Sequence, residues 1–437
     1  MRVGSVIFEK PKGYDPQGSN PGYRSLPDED PIRIFSTGDL ATDVHWLSNI
    51  DVQKAYRLQL KNTPRILDDK YLRTSTSSIL LELGLKDQSY SEQAKIVASI
   101  FSNAMELAKK AFGLVDVPAQ SLASALTALI GHYQPNISSD IQRAGIMASQ
   151  GFTECERREP GPDTIFTSVV FPRVQYAQSI LAGGLPFSEF TILSNDQMPP
   201  ASKRLSWICE DDMPMLAKVR ITNIHPDFNP LINWGNGAGF LKRQTQEGGN
   251  FTTGNSRDWV PSNELKVLAQ FASFEVESIA VSEDEPEARY KLPFIDTVDP
   301  SHAMLSYSFG LLCENIWCSL LRDKQGVYQR TPLTSWVHAT DRMMCLDKAY
   351  QLKKRGYAIN GYGYGRITLA IHPEQAKQFV QDCYELGLVS HMKLSGPFTG
   401  AIPDNPTPAQ VLNILFQIGS LNDLQKTDNS FVRKVTK

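Results

Sequence analysis

The chain has 437 residues, of which 41% are hydrophobic and 21% are charged, and its formal net charge is −3. A chain of this length and composition is expected to fold into two or three packed lobes rather than to be disordered. The slightly acidic balance excludes a wholly basic, histone-like nucleic-acid binder, but it leaves a local basic groove open because phosphate binding depends on where the cations lie.

The cysteines and the apolar runs indicate in which cellular compartment the protein is located. Six cysteines lie far apart without a CxxC pair, which disfavours a zinc ribbon or a thioredoxin-type site. The first residues lack the apolar core of a secretory signal, and no run of about 18 apolar residues occurs that could span a membrane. We therefore predict reduced thiols, a cytoplasmic location and no membrane partner.

Proline and glycine dominate the beginning of the chain. Residues 10–31 contain five prolines and three glycines, which predicts an extended N-terminal arm over residues 1–36. The arm is either a loose terminus or a segment that wraps a neighbouring subunit. Tyr14 and Tyr23 are the residues it would bury in the second case.

Residues 37–150 are predicted to form a helical lobe. Ser89 and Glu92 match a capping box ahead of apolar residues at three- and four-residue spacing, which is typical of an amphipathic helix. Two earlier helices are predicted over 37–60 and 64–83.

Residues 151–300 are rich in β-branched and aromatic residues broken by Pro, Gly and Asn, which predicts a β-rich lobe. Strands are predicted over 165–171, 190–193, 217–224 and 266–281. In the third of these, Lys218 and Arg220 share a strand face, which either lines a basic groove or is an ordinary polar outer face.

A long Gly/aromatic loop is predicted over residues 234–259. It contains six glycines and four large aromatic residues, together with Lys242, Arg243 and Arg257. Its GxGxG spacing does not match the dinucleotide-binding fingerprint. The loop would either grip nucleic acid or a neighbouring subunit, or be a plain surface loop.

Residues 301–437 are predicted to form a mixed α/β lobe that ends in a C-terminal amphipathic helix. It would contain a long helix over 301–322, a helix capped by Asp341 and a hairpin that turns at Asn360-Gly361, a dipeptide suited to a type I′ turn. The predicted fold class is therefore α+β, with a helical N-terminal lobe, a β-rich middle lobe and this mixed C-terminal lobe.

The strongest functional pattern spans residues 353–366, which read KKRGYAINGYGYGR. The first three cations are expected to end a helix that Gly356 caps. Tyr362 and Tyr364 are two apart, so on a strand they would share one face, with Arg366 beside them. They would then be stacking platforms for bases, or else be half-buried where another element packs on the glycine face.

No Walker A, GxSxG or HExxH motif occurs, so we predict no catalytic residue, no metal site and no cofactor. The predicted function is a non-catalytic, nucleocapsid- or ribonucleoprotein-like subunit that grips single-stranded nucleic acid. A purely structural subunit, which would contact copies of itself or other subunits through the arm and the C-terminal helix, and an enzyme without compact motifs are the alternatives. The predicted nucleic-acid-binding residues are Tyr357, Tyr362, Tyr364, Arg366, Lys242, Arg243, Arg257, Lys218 and Arg220.

Overall fold

The computed structural model describes residues 2–50, 65–67, 71–231, 257–282 and 303–390, apart from short gaps at 16–17, 84, 86–87, 118–120, 132–133, 136–137, 149–150, 156–163 and 183. The predicted α+β class is confirmed, because helices occur together with three sheets built mainly from antiparallel pairs. Most of the Gly/aromatic loop, with Lys242 and Arg243, lies outside the described residues, as does the predicted C-terminal helix. Within the described ranges, no helix is long and apolar enough to cross a bilayer.

The α-helices of the described residues are α1 (Thr76–Glu82), α2 (Tyr90–Phe112), α3 (Leu122–Ile130), α4 (Ser139–Ala148), α5 (Arg173–Ala182), α6 (Arg204–Glu210), α7 (Ser262–Leu268), α8 (Ala303–Leu320), α9 (Pro332–Lys354) and α10 (Ala376–Glu385). The strands are β1 (Arg2–Phe8), β2 (Gly22–Ser25), β3 (Ile32–Ile34), β4 (Val44–Ser48), β5 (Arg65–Leu67), β6 (Phe152–Glu154), β7 (Ile165–Val170), β8 (Phe190–Ile192), β9 (Met215–Ile224), β10 (Arg257–Pro261), β11 (Ala272–Ser282), β12 (Ala358–Gly363), β13 (Arg366–Ile371) and β14 (Val389–Ser390).

The N-terminal segment is a sheet, so the predicted extended arm is wrong. The strand order is β3-β2-β1-β4-β5, in which β1 pairs antiparallel with β2 and parallel with β4. Alternate residues of β1 face opposite sides: Ile7 packs with α2, while Val6 and Phe8 pack in a second apolar cluster. The prolines and glycines lie largely in the turns, and Tyr14 packs edge-on against Phe8 of the same chain at 5.0 Å.

The helix predicted over 37–60 is also wrong where the structure describes it, because β4 occupies Val44–Ser48 and all five of its residues are buried. The one predicted over 64–83 contains β5 and, later, the short α1. The capped helix is confirmed as α2, in which the Ser89 side chain accepts a hydrogen bond from the Glu92 N–H and Gly113 ends the helix at φ +63°.

The remaining strands of the described residues form two antiparallel sheets. Sheet two has the order β10-β9-β11-β8, and sheet three has the order β14-β7-β13-β12-β6. The predicted strands over 165–171, 190–193 and 217–224 are confirmed as β7, β8 and β9, whereas 266–281 contains the end of α7 before β11. Sheet three combines strands from both sides of residue 300; the lobe boundaries themselves stay predictions.

Helix α9 begins earlier than predicted. Thr331 is its N-cap and Pro332 its first residue, a combination that suits a helix start. Asp341 therefore lies inside the helix and does not cap it. The expected C-terminal cap is present, since Gly356 has a φ of +95° directly after the last turn.

Candidate nucleic-acid interface

The hairpin of β12 and β13 turns at Tyr364-Gly365, not at Asn360-Gly361 as predicted. Gly363 pairs with Arg366, and the Asn-Gly dipeptide lies inside β12 at an irregularity in the pairing. Tyr364 and Gly365 have φ values of +53° and +68°, as the two central residues of a type I′ turn require. Positive φ is unfavourable for a bulky side chain, so other groups must hold Tyr364 in this conformation.

Asp341 supplies the groups that hold the turn. Its side chain is fully buried on α9, and its two carboxylate oxygens accept the N–H groups of Tyr364 and Gly365 at 2.6 and 2.8 Å. Burial raises the pKa of Asp341 to about 6, although the two backbone N–H donors and the Arg342 cation oppose the rise. The tip of the hairpin is therefore fixed by one carboxylate from the helix beneath it.

A buried ion pair anchors the same part of α9. Arg342 and Glu264 are only 4% and 5% exposed. The Arg342 guanidinium binds the carboxylate with two N–H groups, of which Nε donates to Oε1 at 3.0 Å and Nη2 donates to Oε2. Bidentate pairs of this kind fix both orientation and distance, so α9 is joined firmly to α7.

His338 connects two tyrosines above α9. The Tyr328 hydroxyl lies 2.7 Å from His338 Nε2, and the Tyr364 ring meets the imidazole edge-on with centroids 5.7 Å apart. Burial, together with the Arg342 cation, lowers the pKa of His338 to about 3, so the imidazole is neutral near pH 7. Its Nδ1 is buried and has no hydrogen-bond partner among the described residues.

Two tyrosines and two arginines are exposed above this buried layer. Tyr328 is 38% exposed and Tyr364 is 49% exposed. Arg330 and Arg366 are exposed as well, and the Arg366 guanidinium lies 5.2 Å from the centroid of the Phe152 ring. In the described part of the chain, no carboxylate forms an ion pair with either arginine. We call Tyr328, Arg330, Tyr364 and Arg366 the tyrosine–arginine patch.

The structure places the other predicted tyrosines inside the protein. Tyr357 donates its hydroxyl hydrogen bond to Asp382 at 2.5 Å, and Tyr362 donates to the Leu231 carbonyl at 2.9 Å. Both side chains are buried. The prediction that Tyr362 and Tyr364 share an exposed face is therefore wrong, because the turn removes Tyr364 from the strand in which Tyr362 lies.

Two predicted cations of sheet two, Lys218 and Arg220, are already paired. Lys218 lies 3.4 Å from Glu277, and Arg220 forms an ion pair with Glu275 on the neighbouring strand β11. This favours the polar outer face over the basic groove. Arg257 lies on β10 opposite Arg220 in the strand register. Of the six predicted residues whose side chains the structure describes, it thus brings together only Tyr364 and Arg366 at an exposed surface.

Sequence reasoning missed Tyr328, Arg330 and His338. A signal for the first two was present, because residues 322–330 read RDKQGVYQR and combine three cations with one acid, a tyrosine and a glycine. No local pattern could have identified His338, since its role depends on contacts with two separate loops. Among the described residues, no group of three or more His, Cys, Asp or Glu side chains could hold a metal ion.

The pKa of Asp341 predicts a pH dependence of stability. The pKa of Asp341 is raised from 3.8 to about 6 in the folded protein. Between these two pH values the folded protein therefore keeps a proton that the unfolded chain has released. The stabilisation that results from this difference is full below pH 3.8 and is lost as the pH rises through about 6. Relative to Asp341→Asn, which does not titrate, we expect the wild-type free energy of unfolding to fall across this window in urea titrations. A difference that is constant with pH would contradict the assignment.

The chain was compared with known proteins. No protein-family description matches it, and no curated protein matches it. Among solved structures, it is similar to Phi29 DNA polymerase in an orthorhombic crystal form, with 10% identity, a TM-score of 0.46, and coverage of 84% of this chain and 80% of that chain. It is also similar to the Phi29 DNA polymerase complex with primer-template DNA and incoming nucleotide substrates, with 11% identity, a TM-score of 0.43 and the same coverage of 84% and 80%.

These similar structures are of a polymerase, which is an enzyme. They contradict the predicted function of a non-catalytic, nucleocapsid-like or ribonucleoprotein-like subunit, and with it the structural-subunit and assembly roles. Nucleic-acid binding is compatible with them.

Proposed function

We propose that the protein binds a single-stranded polynucleotide through the tyrosine–arginine patch. The observation that carries the proposal is the exposure of Tyr328 and Tyr364, at 38% and 49%, beside Arg330 and Arg366, whose guanidinium groups carry no ion pair among the described residues. Aromatic faces stack on bases of any sequence, and arginines bind phosphates. The patch provides both kinds of contact on one surface.

The buried layer supports this role because it holds the patch in place before a ligand arrives. Asp341 fixes the backbone of Tyr364, and His338 binds the hydroxyl of Tyr328. A preorganised aromatic surface loses little side-chain entropy when a base stacks on it. Most of the free energy of stacking therefore contributes to the binding affinity.

The local charge supports binding despite the formal net charge of −3. Burial and Tyr364 raise the pKa of Tyr328 to about 12, while the cations of Arg330, Arg342 and Arg322 act in the opposite direction. The ring of Tyr328 thus lies in a field to which several guanidinium groups contribute. The negative phosphates of a nucleic-acid strand would be attracted to this surface, and the attraction would weaken as salt is added.

The test is fluorescence anisotropy with labelled single-stranded oligothymidine, a DNA probe that matches the ligand class in the similar solved complexes. Tyr328→Ala and Tyr364→Ala are each expected to weaken binding by about 1–3 kcal/mol, the usual loss for one stacked base. Tyr364→Phe keeps the ring and should retain wild-type affinity.

Tyr90→Ala is the matched control, since Tyr90 is 39% exposed on α2, away from the patch. Its affinity should equal that of the wild type. Absence of binding by the wild-type protein at low salt would refute the proposal, and so would equal losses in the Tyr90 and Tyr364 variants.

Two finer expectations accompany this proposal. None of the six cysteines forms a disulfide bond, which agrees with a reducing compartment such as the cytoplasm. Contact with other copies or subunits through the predicted C-terminal helix, which lies outside the described residues, stays a prediction.

A further inference from the structure

A second pair of arginines lies next to the tyrosine–arginine patch. Arg322 and Tyr328 face each other as partners in an isolated antiparallel bridge. The loop between them is tight: Gly326 has a φ of +83°, and the Asp323 carboxylate accepts the N–H groups of Gln325 and Val327 at 2.9 Å. Cross-strand partners project to the same side of their ladder, so Arg322 lies beside the ring of Tyr328.

Arg73 approaches the same place from the segment before α1. Its Nη2 donates to Thr127 Oγ1 at 3.1 Å, and Thr127 Oγ1 lies 3.1 Å from Ser319 Oγ. The carbonyl of Ser319 accepts the Arg322 N–H at 3.0 Å. This chain of contacts joins Arg73 to Arg322 at the C-terminal end of α8.

The guanidinium of Arg73 is poorly satisfied by the protein. Its Nε is buried without a hydrogen-bond partner among the described residues, and its backbone has a left-handed φ of +56°. Burial lowers the pKa of Arg73, and the nearby Arg322 cation lowers it as well, although Cys318 and Glu314 act in the opposite direction. An unmet donor on a cation beside a second cation is an arrangement that an anion would stabilise.

An ordinary structural role explains only part of this arrangement. Cations at the C-terminal end of a helix interact favourably with its dipole, and Arg322 donates Nη1 to the Gly326 carbonyl at 2.8 Å within its own loop. These contacts account for the position of Arg322. They leave the buried Nε donor of Arg73 without a structural explanation.

We propose that Arg73 and Arg322 form a phosphate subsite, which holds the backbone of the strand whose bases stack on Tyr328 and Tyr364. This proposal rests on the proposed function. Guanidinium groups match phosphate oxygens with paired N–H donors. Because Arg322 neighbours both Arg73 and Tyr328, one strand can contact the subsite and the patch together.

The test is the salt dependence of oligothymidine binding, measured by anisotropy over a series of KCl concentrations. For single strands, each phosphate contact contributes about −0.7 to the slope of log K against log salt. We expect Arg322→Gln and Arg73→Gln each to make the slope shallower by about 0.7 and to weaken binding equally for oligothymidine and for mixed-sequence DNA. Arg322→Lys keeps the charge and should restore most of the slope.

Arg2→Gln is the matched control, because Arg2 is an exposed arginine on β1 that pairs with Asp43; its slope should equal that of the wild type. A second measurement uses inorganic pyrophosphate alone, which should raise the Tm of the wild type more than that of Arg322→Gln. Unchanged slopes in both glutamine variants, with binding still lost in Tyr364→Ala, would overturn the subsite and leave the proposed function standing. A wild-type protein that binds no DNA would instead refute the proposed function.

Discussion

Replacing Arg342 with methionine is expected to lower the free energy of unfolding by about 3–5 kcal/mol, because it leaves the Glu264 carboxylate buried without its partner. The pair is almost completely removed from water, with side-chain exposures of 5% and 6%. Among the described residues, no second cation forms an ion pair with Glu264 that could offset the desolvation of the remaining charge. Urea unfolding, followed by circular dichroism, measures the loss.

Two variants distinguish the effect of the ion pair on stability from the effect of packing. The double variant Arg342→Met/Glu264→Leu removes both charges and should recover most of the lost stability, since an apolar pair of similar volume can replace a buried ion pair. Arg2→Met breaks an exposed pair with Asp43 and should cost less than about 1 kcal/mol. Equal losses in Arg342→Met and Arg2→Met would show that the buried pair does not anchor α9.

Replacing Asp341 with alanine is expected to lower the free energy of unfolding by about 3 kcal/mol and to release the hairpin tip. The change removes the acceptor of two charge-assisted hydrogen bonds, each worth about 1.5–3 kcal/mol, and part of that loss is recovered because a buried charge is no longer desolvated. Hydrogen exchange of the Tyr364 and Gly365 amides should accelerate. DNA binding should weaken as well, because Tyr364 loses the group that positions it.

The same helix and the same turn provide the controls. Asp347→Ala removes an exposed carboxylate of α9, whose partners are Gln351 and Lys348, and should change stability by no more than about 0.5 kcal/mol. In the Asp341→Ala background, Tyr364→Gly should restore about 1 kcal/mol, because glycine accepts positive φ without strain. If amide exchange at the tip is unaffected in Asp341→Ala, another group holds the turn.

The site depends on a strained backbone conformation of Tyr364, which a buried carboxylate stabilises. Tyr364 adopts a backbone conformation that tyrosine rarely takes, and the buried Asp341 carboxylate makes that conformation the stable one. The result is an aromatic side chain at the tip of a hairpin, half exposed and held at a defined angle to His338. A loop without such support would present the same residues in many orientations, and binding would cost the entropy of ordering them.

Local sequence patterns predicted much of the fold correctly where one element carried its own signals. The Ser89 cap and the apolar spacing after it located α2, and the β-branched runs located β7, β8 and β9. The N-terminal sheet escaped prediction because four of its five strands have five residues or fewer, and because segments rich in proline and glycine separate the first three strands. Their pairing joins residues far apart in sequence, such as Val6 with Ser48 across the parallel ladder.

The sequence by itself determined the α+β class, the cap of α2 and the glycine at the end of α9, since these follow from propensities within a few residues. Only the tertiary structure decided which tyrosine is exposed. Asp341 lies 23 positions from Tyr364 along the chain, yet its carboxylate binds the Tyr364 N–H and so places the turn at Tyr364-Gly365. That placement leaves Tyr362 within β12 and buries it. The energy of two hydrogen bonds from a distant helix thus outweighs the local preference of Asn-Gly for the turn.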